Sequence, residues 1–306
     1  MKRFAWTMAL PILAGLAIMP FHVNNYIVTF TIQTFMWIAL AQSWNLISGL
    51  TGYVSFGHVA FFGTGAYTAA ILISKAGWHW LPAALLGSVT APCLALIIGY
   101  PCLRLKGPYF AIAMLGLNEV VRALVSYFDG LTGGGSGITL SPMTSILPLY
   151  YAMGGIALAG LLITYWIITS RFGLRLISIR EDELAAEAMG INTAALKLYA
   201  FLISAAIPGI AGGFYARYVT HIEPIGTFPL VTTITMIVMV LFGGKGTLFG
   251  PILGATLLSI FQELVWARFL FLHEAIFGAI IIFVVLLMPR GILGVLQQRY
   301  RLPRTI

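Results

Sequence analysis

Charge is what this sequence has least of. Only 8% of its 306 residues are Asp, Glu, Lys or Arg, against roughly 25% in ordinary soluble proteins, and no polar block is long enough to build a second, water-facing domain. A soluble globular fold is excluded. Cysteine is almost missing as well: Cys93 and Cys102 have no His or Cys at ligand spacing and read as packing residues, not as a disulfide framework or a zinc site. The five histidines, His22, His58, His79, His221 and His273, never stand three or four apart, so no metal is expected. No G-x-x-x-x-G-K-[ST] phosphate loop occurs, and Gly243-Gly244-Lys245-Gly246-Thr247 lacks its spacing. Nucleic acid is an unsuitable partner, because the residues behind the +8 net charge sit at the ends of apolar segments and not in a patch interleaved with aromatics.

What the chain does have is apolar length. Hydrophobic residues make up 60% of it and mean hydropathy is +0.97, which makes it an integral membrane protein in contact with lipid, read as one transmembrane domain over 1–306. About 20 apolar residues cross the hydrocarbon core, and windows between polar breaks predict spans at 4–20, 26–47, 54–74, 81–100, 108–127, 148–169, 198–218, 229–243, 250–267 and 270–288. The expected fold is all-α and polytopic, with about ten transmembrane helices, some broken or re-entrant. Met1-Lys2-Arg3 before the first apolar run reads as the start of a signal anchor, although Gly15-Leu16-Ala17 has the form of a cleavage site. With the N-terminus inside, thirteen Lys and Arg fall on cytoplasmic segments and three, Lys75, Arg217 and Arg268, outside; Arg122 lies within a span. That asymmetry fits both termini being cytoplasmic.

Several polar or small residues inside the spans need a reason. The stretch "GYVSFGHVAFFGTGAY", Gly52 to Tyr67, carries glycines, Ser55 and His58 in a membrane-crossing window. Irregular backbone at that depth is tolerated only against protein or a water-filled cavity. Ser55, Gly57 and His58 are therefore read as a broken helix that meets protein or lines a water-filled route at the cytoplasmic entrance of the span, and Gly63 and Gly65 as sites of close helix approach. Glu119 and Arg122, three apart in span 108–127, form an expected helix-face pair, with Glu119 a candidate for the route. Glu263 beside Gln262 poses the same choice between structure and route, while His273 and Glu274 fall near the outer end of the last span, where side chains snorkel cheaply. Ala205, Gly209 and Gly213 give span 198–218 a smooth face, and Pro208 predicts a kink there. Gly134-Gly135-Ser136-Gly137 has the Gly-x-Ser-Gly form found around the nucleophile of rhomboid-like intramembrane proteases; His221 and His273 are the available bases, but no spacing brings either to Ser136.

The longest cytoplasmic interval, "SRFGLRLISIREDELAAEAMGINTAALK" over 170–197, is too short for a domain and too helix-prone for a slack loop. Asp182 and Glu183 open a short helix, the alanines supply propensity, and Gly190-Ile191-Asn192 stops it. Its Glu183-Leu184-Ala185-Ala186-Glu187-Ala188-Met189-Gly190 resembles the ATPase-docking loop of bacterial ABC importer permeases, with the acid one position early and Leu184 where Glu is usual. Four further stretches occur in family order: Ser43-Trp44-Asn45-Leu46 through "SGLTGYVSFGHVAFFGTGAYTAA", then "AMLGLNEVVRALV" with "LTGGGSGI", "FGGKGTLFGPILGA" and "MPRGILGVL". Together they make the chain, from about 43 to 295, similar to the LivM-like permeases of the high-affinity branched-chain amino acid ABC importer family. Glu223, between Ile222 and Pro224, departs from the small polar residue expected there.

The resemblance implies a bacterial inner-membrane subunit that is not an enzyme and binds no cofactor of its own, ATP and Mg being held by partner subunits. It implies two cytoplasmic ATP-binding subunits, a second homologous permease and a periplasmic substrate-binding protein. It implies alternating access for leucine, isoleucine and valine, with urea, short amides or other amino acids as the competing cargo. Arg175, Arg180, Glu181, Asp182 and Glu183 are the expected charged contacts with the ATPase, and Ala185, Ala186 and Gly190 allow its close approach. An ion-coupled carrier or channel using Glu119 is the alternative from another class.

Overall fold

The computed structural model describes residue 11 and residues 14–268, 278–279, 282 and 291–294. The protein is all-α and polytopic. Its principal helices are α1 Asn25–Trp44, α2 His58–Ala76, α3 Trp80–Leu85, α4 Gly87–Cys102, α5 Pro108–Tyr127, α6 Leu147–Thr169, α7 Arg171–Glu181, α8 Glu183–Ala188, α9 Thr193–Val219, α10 Leu230–Gly243 and α11 Gly250–Arg268. Among the described residues, six segments are long and apolar enough to cross a membrane: α2, α3 with α4, α5, α6, α9, and Pro224–Gly243, with the shorter apolar Gly250–Val265 besides. The 20-residue α1 is absent from that set because its Asn, Gln, Thr and Ser side chains dilute its hydropathy. The expected spans 108–127 and 148–169 coincide with α5 and α6 to within a residue, whereas most of 4–20 and 270–288 falls outside the described residues.

The core forms where α9 lies between α2 and α4. Small residues set its spacing: a Cβ on Gly65 would lie 1.8 Å from the Gly209 carbonyl oxygen, one on Gly209 2.2 Å from that of Gly87, and one on Gly213 2.7 Å from the Ala84 Cα. Backbones therefore touch directly, which is how helices associate where lipid supplies no hydrophobic drive. The Ala205, Gly209, Gly213 stripe is buried here, and Pro208 is accommodated inside α9. Cys93 does not behave as a packing residue, because its position on α4 is exposed; Cys102 is half-buried.

Among the described residues, one small exception to the helical rule ties two loops together. Ile138–Thr139 (β1) pairs antiparallel with His221–Ile222 (β2). His221 Nδ1 shares a 2.9 Å hydrogen bond with Thr139 Oγ1. The base proposed for Ser136 is thus engaged by a strand neighbour, and the other candidate, His273, lies outside the described residues. Arg217 donates to the carbonyls of Ser141 and Pro142, holding the same loop to the end of α9.

Candidate functional site: a buried helix break and the loop that grips it

The expected irregularity lies between α1 and α2. After Trp44 the chain runs through a wide π turn, Asn45–Gly49, and Gly52 to Gly57 is not helical before α2 begins at His58. Gly52 has φ +83, which side-chain-bearing residues rarely adopt, so the chain turns there. A bilayer offers this freed backbone no water, and neighbouring groups must satisfy it.

They do so with buried polar side chains. Trp44 Nε1 donates to the Ser55 carbonyl at 2.8 Å, Ser48 Oγ donates to the Tyr53 carbonyl at 2.8 Å, and Thr51 Oγ1 returns to Ile47 at 2.6 Å. Ser43 Oγ donates to the Ser204 carbonyl of α9 at 2.6 Å. Gln42 Nε2 donates to Leu248 and Asn45 Nδ2 to Thr247, each at 2.9 Å, while Asn45 Oδ1 accepts from the Gly246 amide at 2.8 Å. The first signature stretch and "FGGKGTLFGPILGA", some 200 residues apart, are therefore one buried unit. His58 is fully buried, its Nδ1 sharing 2.9 Å with Ser55 Oγ and its ring edge-on to Phe61; Nε2 has no partner among the described residues.

Around this break the glycines mark contacts. A Cβ on Gly57 would lie 2.6 Å from Met114 Cε of α5. One on Gly63 would lie 2.1 Å from the Phe228 ring, which also stacks on Tyr67 and whose carbonyl accepts from Asn118 Nδ2 at 3.1 Å. Ser55, Gly57, His58, Gly63 and Gly65 thus lie along one buried run of α2 and its preceding break. Glu119 is not brought to them. It pairs with Arg122 on the outward face of α5, with 47% and 41% of the two side chains exposed. Glu263 accepts instead from the hydroxyl of Tyr26 on α1.

The loop expected to be cytoplasmic folds as α7 and α8 joined at Asp182, whose Oδ1 caps α8 by accepting from the amides of Leu184 and Ala185 at 2.9 and 3.0 Å. Such a cap satisfies amides that a helix start leaves open. Arg175, Glu181, Asp182, Ala185 and Gly190 are exposed, as are the apolar tips Leu184 and Met189. Two residues of α8 expected at a partner's surface are turned inward. Ala186 is buried in the chain's own core. Glu183 accepts from Tyr53 OH at 2.6 Å and from Lys197 Nζ at 2.7 Å. Glu183 and Ala186, three apart, share the inward side of this six-residue helix. Burial pushes the Glu183 pKa up, but hydrogen bonds from Lys197 and Tyr53, with the charges of Lys197 and Lys106, outweigh it and hold the pKa below the ordinary carboxylate value. Arg180 reaches inward too, Nη1 donating to the Gly49 carbonyl at 3.0 Å while Glu181 pairs with Nη2 at 2.7 Å.

Thr51, Gly52, Tyr53, Lys106, Arg180 and Glu183 also line a cavity of about 390 Å³. Sequence reasoning missed Tyr53, and it counted Lys197 only as a cytoplasmic charge. The available signal was a lysine followed at once by an apolar span.

The family described as "Branched-chain amino acid transport system / permease component" matches residues 26–285. The chain belongs to this family. It is 29% identical to the high-affinity branched-chain amino acid transport system permease protein LivM of Salmonella typhimurium, over 98% of this chain and 77% of the relative. It is also 29% identical to LivM of Escherichia coli K12, over 92% and 73%. LivH of Escherichia coli K12, a permease of the same kind of system, is 25% identical over 83% of this chain and 90% of its own. No solved structure matches. As a member of this family the chain is a permease component.

Proposed function

We propose that the chain is the transmembrane permease subunit of an ATP-driven importer for branched-chain amino acids in a bacterial inner membrane, working by alternating access. The observation that carries this reading is the match to one permease family across 26–285. Supporting it, the two signature stretches that match far apart in the sequence meet at the buried break. Some ten spans with both termini cytoplasmic agree with the distribution of Lys and Arg.

Energy comes from two cytoplasmic ATP-binding subunits that hold ATP and Mg. Their docking surface is the exposed side of α7 and α8: Arg175, Glu181, Asp182, Leu184, Ala185, Met189 and Gly190. A periplasmic binding protein delivers substrate to the outer loops. A second, homologous permease covers the outward face of α5, where Glu119 sits about 16 Å from Pro108 and about 12 Å from Tyr127 along the helix. Ionised groups at that depth belong against protein or water. Because Glu119 is paired with Arg122 and lies apart from the buried break, it offers an ion-coupled carrier no free coupling site.

Uptake by the complex reconstituted in liposomes tests the proposal. Leucine, isoleucine and valine are expected to accumulate only with ATP and the binding protein. Uptake of urea without those three would overturn the substrate, and uptake driven by a proton or sodium gradient without the ATPase would overturn the mechanism.

A further inference from the structure

Glu183, Tyr53 and Lys197 meet at a buried node that the docking surface does not need. Lys197 and Tyr53 are 3% and 8% exposed. Besides its bond to Glu183, Lys197 Nζ donates to Tyr53 OH at 2.9 Å and to the Leu103 carbonyl at 3.2 Å, and lies 4.5 Å from the centre of the Tyr53 ring. Four segments converge there: the docking loop through Glu183, the helix break through Tyr53, the turn before α5 through Leu103, and the first turns of α9 through Lys197. The second grip lies one turn earlier in the chain. Arg180, clamped by Glu181, holds the carbonyl of Gly49, the last residue of the π turn. The loop thus grips the break at two points, at Gly49 before it and at Tyr53 within it.

The chemistry of the node suits a link more than a surface contact. Exposed ion pairs are cheap to break and re-form. A buried, fully hydrogen-bonded pair is costly to open by one partner, so segments joined by it move together or the site must rearrange as a whole. The break on the other side, Gly52–Gly57, is six residues without helical backbone to resist movement. Ser55 and His58 follow Tyr53 by two and five residues.

We infer that Tyr53, Glu183 and Lys197 couple the docking loop to the Gly52–Gly57 break, so that displacement of α8 by the ATPase is delivered to the segment that carries Ser55 and His58. This rests on the proposed function, in which α7 and α8 receive the ATPase. Tyr53 and Glu183 are therefore positioning residues that act through the backbone they hold.

The test compares Glu183→Gln and Tyr53→Phe in the full complex in liposomes, measuring leucine uptake and ATP hydrolysis in the same vesicles. Both variants keep the side-chain volume, and Tyr53→Phe keeps every charge, so it reports even if Glu183→Gln assembles poorly. The expected result is that ATPase subunits co-purify normally while leucine moved per ATP falls about tenfold, equivalent to about 1.4 kcal/mol of lost coupling. The double variant is expected to be no worse than Glu183→Gln, because the node acts as a unit. An unchanged ratio of leucine to ATP in both variants, with normal assembly, overturns the inference alone. Failure of any ATPase subunit to co-purify with the unaltered chain overturns the underlying assignment and the inference with it.

Discussion

The seam between α2 and α9 and the outward face of α5 are both built on membrane-crossing helices with glycines and an ion pair close by, yet they spend these residues in opposite ways. On the seam, Gly65 leaves no room for a Cβ; on the α5 face, Gly116 has nothing within 4 Å of where its Cβ would be. Below the seam, Glu183 and Lys197 are closed in, with 16% and 4% of their side chains exposed, and bind a third side chain and a carbonyl. On the α5 face, Glu119 and Arg122 bind each other across a single turn of one helix. Residue type does not separate the two regions. What separates them is whether another segment of the same chain completes the contact.

Glycine substitution gives the largest contrast. Gly65→Leu drives a side chain into the Gly209 backbone, which no rotamer avoids, and is expected to cost more than about 3 kcal/mol, the upper end of ordinary overpacking. Gly116→Leu fills open space and, in the isolated chain in detergent, is expected to leave stability within about 0.5 kcal/mol. Thermal unfolding of both variants checks the pair. Equal destabilisation would mean that the α5 face is closed within the chain.

The ion pairs come next. Lys197→Met leaves Glu183 buried beside Tyr53 without its cation, and is expected to cost about 3 kcal/mol, the lower end for breaking a buried pair from one side. Adding Glu183→Gln should recover part of that loss. Glu119→Gln is expected to cost under about 1 kcal/mol in the isolated chain, as for other exposed pairs. A double-mutant cycle on each pair measures the difference directly. A coupling energy for Glu119–Arg122 as large as that for Glu183–Lys197 would erase the distinction.

The same contrast explains what could be read from the sequence. Apolar windows bounded by Gly and Pro gave α5, α6 and α11 nearly to the residue, because span length is a local property. The break was legible from Gly52 and Gly57 in a window otherwise fit to cross the bilayer, and the close approach at Gly63 and Gly65 from residue size alone. Completion was not legible. Nothing near Asn45 announces Thr247, and nothing near Lys197 separates a lysine snorkelling to the cytoplasm from one buried against Tyr53. Local sequence also left open the facing of the short α8, so Glu183 and Ala186 read as surface residues when both point inward.

The smallest effect is a pH dependence, and its sign follows from the side chain that faces in. The Glu183 pKa lies below its ordinary value of 4.5, so the ionised form is favoured more in the folded chain than in the unfolded one. The resulting stabilisation is fully present above about pH 4.5 and is lost as pH falls through the lowered folded-state value. Lys106 and Lys197 are the cations that face the carboxylate, and Tyr53 donates to it. Protonation of Glu183 is thus the titration that weakens this node. Acid also titrates every other carboxylate, so the informative quantity is the gap in unfolding temperature between the unaltered chain and Glu183→Gln. That gap is expected to be constant from pH 7 to about pH 5 and to shrink below about pH 4.5, because a protonated Glu183 and the glutamine of the variant then present similar neutral groups to Lys197. Glu119→Gln, compared in the same way, should show a much smaller gap at every pH, since its carboxylate is half exposed and bound only to Arg122. A Glu183 gap that stayed constant to pH 3 would mean that folding does not favour the ionised form of Glu183, and the contrast between the two pairs would then rest on burial alone.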